Sequence, residues 1–146
     1  MKRFLLLCAV CPLALAATSA WAQSASVTAS PSHVQFGAVP IGGHKTATVT
    51  LTNDTSSQVS VAGVHLTEFP AGSGFGAESF CPATPLQPGD SCTVQVSMTG
   101  DAKGHYKGTV VLTTFMACAL TPEGCSESSR DVVITLKGTT RPARAG

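Results

Sequence analysis

The sequence predicts an all-β domain, a sandwich of two antiparallel sheets holding about seven to eight strands. Three observations carry this expectation. Threonine and valine together supply 30 of the residues from Gln23 onward, and β-branched side chains favour a pleated, half-buried surface. Apolar residues alternate with polar ones in short runs, the period of a strand with one buried face, and no long stretch has the helical period. Glycine, proline, asparagine and aspartate punctuate these runs about every 8–20 residues, the rhythm of a small sandwich.

The 146-residue chain opens MKRFLLLCAVCPLALAATSAWAQS. Lys2 and Arg3 precede an apolar run from Phe4 to Ala17, and small residues then end in Ala20-Trp21-Ala22. This order is that of a secretory signal peptide over residues 1–22, cut between Ala22 and Gln23. The apolar run is shorter than the about 20 residues of a spanning helix, and no integral membrane segment is expected after cleavage. The expected location is therefore periplasmic or secreted, in a bacterium. Loss of 22 residues from 146 leaves 124, the size of one domain with one core. Seven basic residues then face eight acidic ones, a balance that makes nucleic acid or an anionic membrane an unexpected partner.

Gln23 to Ser32 is small and polar and reads as a mobile arm leading to an edge strand, where Pro31 is tolerated. The domain is expected over residues 33–138 and a flexible tail over 139–146. HVQFGAVPIGG, from His33, gives two strand pieces kinked at Gly37. HKTATVTLTN, from His44, is the cleanest strand, with Ala47, Val49 and Leu51 inward. After a turn at Asn53 to Ser57, Val59 and Val61 precede an expected bulge at Ala62-Gly63, followed by Val64 and Leu66. Pro70 to Ser79 is glycine-rich and reads as irregular. Pro88-Gly89 suits the centre of a type II turn, and the strand after it puts Cys92, Val94, Val96 and Met98 on one face. Tyr106, Gly108, Val110 and Leu112 alternate in the next strand, and Val132, Ile134 and Leu136 in the last.

Cys8 and Cys11 leave with the leader, so Cys81, Cys92, Cys118 and Cys125 remain. Four cysteines allow three pairings. In an exported protein they are expected as structural disulfides. Zinc ligands usually come as C-x2–4-C, whereas ten and six residues intervene here, and no histidine pair accompanies them. No C-x-x-C redox motif is present. The expected pairs are Cys81–Cys92, around the Pro-Gly turn, and Cys118–Cys125, around CALTPEGC. Each closes a short loop and contributes about 2–3 kcal/mol in the chain-entropy picture.

The segments VQFGAVPIG (from Val34), VTLTN (from Val49), C....LQPGDSCTVQV (from Cys81), KGHYKGTVVL (from Lys103) and ITLKG (from Ile134) together resemble the bacterial Hydin-like or ASH-type immunoglobulin-like domains. These are often labelled choice-of-anchor D and are related to the major sperm protein and PapD-like sandwiches. The resemblance runs from about Ser30 to Gly138 and implies an immunoglobulin-like fold in a scaffold or adhesion module without enzymatic activity. It also places Cys81 and Cys92 where many such domains carry a cysteine pair. The chain departs from the pattern at Met98 and Gly100, at Asp54-Thr55, and at Gly138-Thr139-Thr140.

His33, His44, His65 and His105 are too scattered to form a local metal or catalytic motif, and no G-x-S-x-G elbow is present. Glu68, Glu78, Asp90 and Asp101 read as solvated carboxylates at turns. Asn53-Asp54-Thr55 matches a glycosylation sequon but, behind a bacterial leader, is expected to be a plain turn. Thr113 to Ser129 reads as a long connection. In it Phe115, Met116 and Leu120 lie near the Cys118–Cys125 clasp, which would pre-order them for a partner.

The expected function is that of an exported, non-enzymatic structural or protein-interaction module of the bacterial envelope. Its partner would be a protein or a cell-surface polymer, with no cofactor and no metal. The alternative is a subunit of an exported fibre or surface assembly built by β-strand exchange.

Overall fold

The computed structural model describes residues 26–71, 73–116 and 128–143. Eight strands run in order: β1 Val27–Ser30, β2 His33–Pro40, β3 His44–Asn53, β4 Val59–Phe69, β5 Phe75–Ser79, β6 Ser91–Thr99, β7 Gly104–Met116 and β8 Ser129–Arg141. They form two four-stranded sheets, β1-β3-β6-β5 and β2-β8-β7-β4. The fold is the expected all-β, immunoglobulin-like sandwich.

Alternation builds the core. In the first sheet Val49 lies opposite Val94 and Leu51 opposite Cys92. In the second, Val110 faces Ile134, Leu112 faces Val132 and Gly108 faces Leu136. These inward side chains meet between the layers, and Val49, Leu51, Val94, Val96, Met98, Val110, Leu112, Ile134 and Leu136 are fully buried. Each such side chain contributes about 1.5–3 kcal/mol of hydrophobic stabilisation.

Two bulges shift this alternation by one residue. The register slips between Gln35 and Gly37, so that Val34, Phe36 and Val39 all turn inward. Lys45 Nζ donates to the Phe36 carbonyl there at 2.9 Å. A second slip, between Ala62 and Val64, lets Val61 on one side of it and Val64 and Leu66 on the other pack on the same core, while Val59 is also buried. An extra residue on one strand of a pair resets which side chains face in.

Met98 occupies a space the opposite sheet leaves open. A Cβ on Gly138 would meet the Met98 sulfur and methyl group, so this departure from the family pattern fits glycine at the facing position.

The structure corrects several expectations. Val27–Ser30, inside the expected mobile arm, pairs with Leu51 and its neighbours on β3, and Val27 and Ala29 pack on the core. Polar letters concealed a strand too short to show its period. Phe75–Ser79, expected to be irregular, is β5, paired with β6. Its small residues suit a short edge. β8 continues to Arg141, so residues 139–141 of the expected tail are paired with β2 and β7. Finally, β2 and β8 run parallel, so the second sheet is mixed where an antiparallel one was expected. Alternation reports a buried face but carries no direction. The leader, residues 1–22, lies outside the described residues.

Candidate functional site

One end of the sandwich gathers the residues singled out from sequence. Here β3 ends, β6, β4 and β8 begin, and β7 finishes. Cys81 and Cys92 form a disulfide with Cα atoms 4.9 Å apart. Cys92 is buried and Cys81 packs against the core, which anchors the bridge at the edge of the apolar interior. Cys118 and Cys125, and the bond expected between them, lie outside the described residues.

The loop between Cys81 and Cys92 is held at further points. Leu86 is buried, and its N–H and C=O bond the Val59 carbonyl and amide at 2.8 and 3.0 Å. The Pro-Gly turn forms as its letters demand. Gly89 has φ +85°, a conformation that costs glycine no Cβ clash. The Asp90 amide closes the turn on the Gln87 carbonyl at 3.0 Å, and Asp90 Oδ2 accepts from the Gln87 amide at 2.9 Å.

Asn53 ties this loop to the sheets. Its side chain is fully buried. Nδ2 donates to the Ser57 carbonyl at 2.9 Å and to the Leu86 carbonyl at 3.0 Å. Oδ1 accepts from the Thr55 amide at 3.0 Å and from the Thr55 hydroxyl at 2.6 Å. Its backbone carbonyl accepts from Gly89 at 2.8 Å. The amide therefore has a partner for each of its donors and two for its oxygen, as a buried amide requires. The expected turn forms after Asn53, and to it the structure adds that Asn53 is a buried organiser. Sequon letters identify a turn but do not say which way its amide points.

The three residues proposed for partner binding are not alike. Phe115 and Met116 are the last residues of β7, in register with Ser60 and Val59. Met116 N–H reaches the Ser128 carbonyl at 3.1 Å. The long connection therefore does not begin at Thr113, because Thr113–Met116 continue the ladder with β4 and β8. Thr114 turns inward and donates to the Arg130 carbonyl at 2.8 Å. Phe115, the next residue, points to the outer face and is 37% exposed. Leu120 lies outside the described residues.

Sequence reasoning missed two exposed apolar residues, one just after β5 of the first sheet and one on β8 of the second. Phe80, beside the disulfide, is 56% exposed, and Val133 on the outer face of β8 is 50% exposed. Val133 is paired with Val111, so an aliphatic pair sits two outward positions from Phe115 along β7. Phe80 directly preceding Cys81 was the available signal, since a disulfide fixes the residue next to it.

Among the described residues, no group of three or more His, Cys, Asp or Glu side chains could hold a metal ion. His33, His44 and His105 stand near the starts of different strands and His65 lies within β4. Two of them bond threonines: His44 Nδ1 is 3.2 Å from Thr99 Oγ1, and His105 Nδ1 is 3.1 Å from Thr139 Oγ1. Glu68 is part of β4, and its Oε1 accepts from the Phe75 amide at 2.7 Å. This organises the β4–β5 connection, and it corrects the reading of that carboxylate as a solvated turn residue.

The ASH family model (abnormal spindle-like microcephaly-associated, ASPM-SPD-2-Hydin) matches residues 24–115, more than half of the chain. No curated protein has a significant sequence match to this chain. Among solved structures, the VesB protease of Vibrio cholerae is similar at 19% identity and TM-score 0.59, over 78% of this chain and 32% of that one. The chain thus spans about a third of that protease. The ASH/PapD-like domain 7 of human CEP192 is similar at 13% identity and TM-score 0.58, over 98% of this chain and 100% of that domain. The periplasmic chaperone SfaE is similar at 15% identity and TM-score 0.54, over 80% of this chain and 58% of that one. At these identities the likeness is one of fold.

Proposed function

This chain belongs to the ASH family, and from that premise we propose that it is an exported, non-enzymatic protein-interaction module of the bacterial cell envelope. The observation that carries this reading is the stapled end, where Phe80 and Phe115 stay exposed on backbone fixed by a disulfide, a buried asparagine and two ladders. Exposed aromatics on rigid backbone bind with little loss of conformational freedom, which is what a docking surface needs. Export is supported by the leader pattern of residues 1–22 and by a disulfide, which persists in oxidising compartments. The partner is a protein or a cell-surface polymer.

The test is affinity capture of the tagged mature domain from its own envelope, with Phe115→Ser and Phe80→Ser compared with wild type. The double variant is expected to lose at least tenfold in capture while its thermal midpoint falls by only a few degrees. Undiminished capture by the double variant would place the interaction elsewhere.

The second reading is a fibre subunit assembled by strand exchange, favoured by β1. It is a four-residue edge strand held by β3 alone within its sheet, and such a strand is the element exchanged between copies at least cost. Deletion of residues 23–30 should then leave an open β3 edge that accepts a peptide of sequence VTAS with its flanks. A deleted chain that stays monomeric and ignores the peptide counts against exchange.

A further inference from the structure

The other end of the second sheet carries a different surface. On its outer face, Lys107 of β7 lies directly opposite Lys137 of β8, on strands about 4.8 Å apart. The same cross-strand row continues to Phe69 on one side, which pairs with Lys107, and to Gln35 on the other, which pairs with Lys137. One step nearer the end of the sheet, His105 pairs with Thr139. A groove of about 220 Å³ lies over Gln35, His105, Lys107, Lys137 and Thr139. It adjoins a hollow of about 290 Å³ that Lys103 and Arg141 line and that shares His105 and Thr139.

Like charges directly opposite in a cross-strand pair are destabilising. The pair here is uncompensated, because among the described residues Lys103, Lys107, Lys137 and Arg141 make no ion pair. Four carboxylates are engaged elsewhere, while Asp101 stands exposed at this end in the turn between β6 and β7. Asp54 accepts from Thr28, Glu68 from the Phe75 amide, Asp90 from the Gln87 amide and Asp131 from Thr113. A near-neutral chain therefore concentrates four exposed cations on one end of one face, with neutral donors between them and a phenyl ring, 78% exposed, at the end of the row.

We infer that this groove binds a carboxylate-bearing polysaccharide of the uronate type. The two lysines take the carboxylates, Gln35 and Thr139 meet sugar hydroxyls, and Phe69 packs on a pyranose face. An extended peptide is the weaker fit, because β7 and β8 are interior strands whose backbone groups are spent in their ladders with β4, each other and β2. A guest on this face meets side chains only. The groove is also shallow and open, so a lone small anion would gain little, whereas a polymer engages several cations at once. This inference rests on the reading of the domain as a binding module and names the partner class for a second surface.

Polygalacturonate is the probe, titrated into the folded mature protein at low salt and followed calorimetrically. Dextran, polyglutamate and phosphatidylglycerol vesicles are run in parallel. Expected are binding of polygalacturonate that weakens with salt, none of dextran, and at least tenfold loss in Lys107→Gln/Lys137→Gln. That variant should also melt higher than wild type at low salt, because the like-charge pair is gone. Phe69→Ala should weaken polygalacturonate but not polyglutamate, and Arg130→Gln, at the opposite end of β8, should change nothing. Absence of polygalacturonate binding, equal binding by the double lysine variant, or tighter binding of polyglutamate or vesicles would overturn the inference. Should envelope capture through Phe80 and Phe115 persist in those cases, the module reading stands and the groove assignment alone fails.

Discussion

The two ends of this sandwich are closed by different physics. At the stapled end, a covalent bridge and a buried asparagine hold together an excursion between β5 and β6 that has little regular structure of its own. At the cationic end, closure is by tight turns and backbone hydrogen bonds. Ile41 N–H reaches the Arg141 carbonyl at 2.9 Å, Gly42 N–H reaches Gly100 at 2.8 Å and Gly100 N–H reaches Gly43 at 2.9 Å. Tyr106 Oη and Thr140 Oγ1 both donate to the Ala102 carbonyl, the tyrosine at 2.7 Å. The comparison teaches that one end depends on a few concentrated, irreplaceable links, and the other on many small distributed ones.

That contrast is sharpest at Asn53. Asn53→Ala removes four hydrogen bonds from a buried setting: the Leu86 carbonyl keeps the Val59 amide and the Ser57 carbonyl keeps the Thr55 hydroxyl, but the Thr55 amide loses its acceptor, and an unsatisfied buried group costs about 1–3 kcal/mol. A loss of about 3–4 kcal/mol is expected in denaturant unfolding. A loss below 1 kcal/mol would mean that the loop does not hang from this residue.

Next comes the disulfide. Cys81→Ser/Cys92→Ser should cost about 2–3 kcal/mol by the loop-closure estimate, with the fold retained by circular dichroism. Limited proteolysis of that variant should cut first between residues 81 and 92, and first cuts between 100 and 104 would invert the proposed ranking of the two ends.

The smallest effect is expected at the opposite end. Tyr106→Phe removes one hydrogen bond to Ala102 but leaves that carbonyl satisfied by Thr140, so about 0.5–1 kcal/mol is expected. A cost as large as that of Asn53→Ala would show that both ends rely on single links after all.

Much of the fold was legible because one buried face forces period two. Val49-Leu51, Val94-Val96-Met98, Val110-Leu112 and Ile134-Leu136 all face inward as their alternation requires. The bulges at Gly37 and Gly63 were legible for a related reason, since glycine interrupts the pattern where the register slips. β1 and β5 were not, because VTAS and FGAES are too short and too small-sided to set a period against a glycine-rich background. The parallel pairing of β2 with β8 was invisible because strand direction comes from the path of the chain between sheets.

The candidate sites divide the same way. Cys81 and Cys92 declared themselves by type and spacing. Asn53 did not, because burial of a turn amide depends on the carbonyls of Ser57 and Leu86, the second of them 33 residues away. Nor did the cationic row, because net charge sums over a surface and discards where the charges stand.

The pairing of β2 with β8 has a consequence for biogenesis. The second sheet needs β8 both as a partner of β7 and as the track along which β2 aligns, so a growing or threading polypeptide has no way to close it before β8 arrives. Synthesis of residues up to Met116 leaves β2 without β8, the strand it pairs with in that sheet. Arrival of β8 is thus the event that lets this sheet close, and fragments ending upstream of Ser129 are expected to be cut by protease faster than the longer chain.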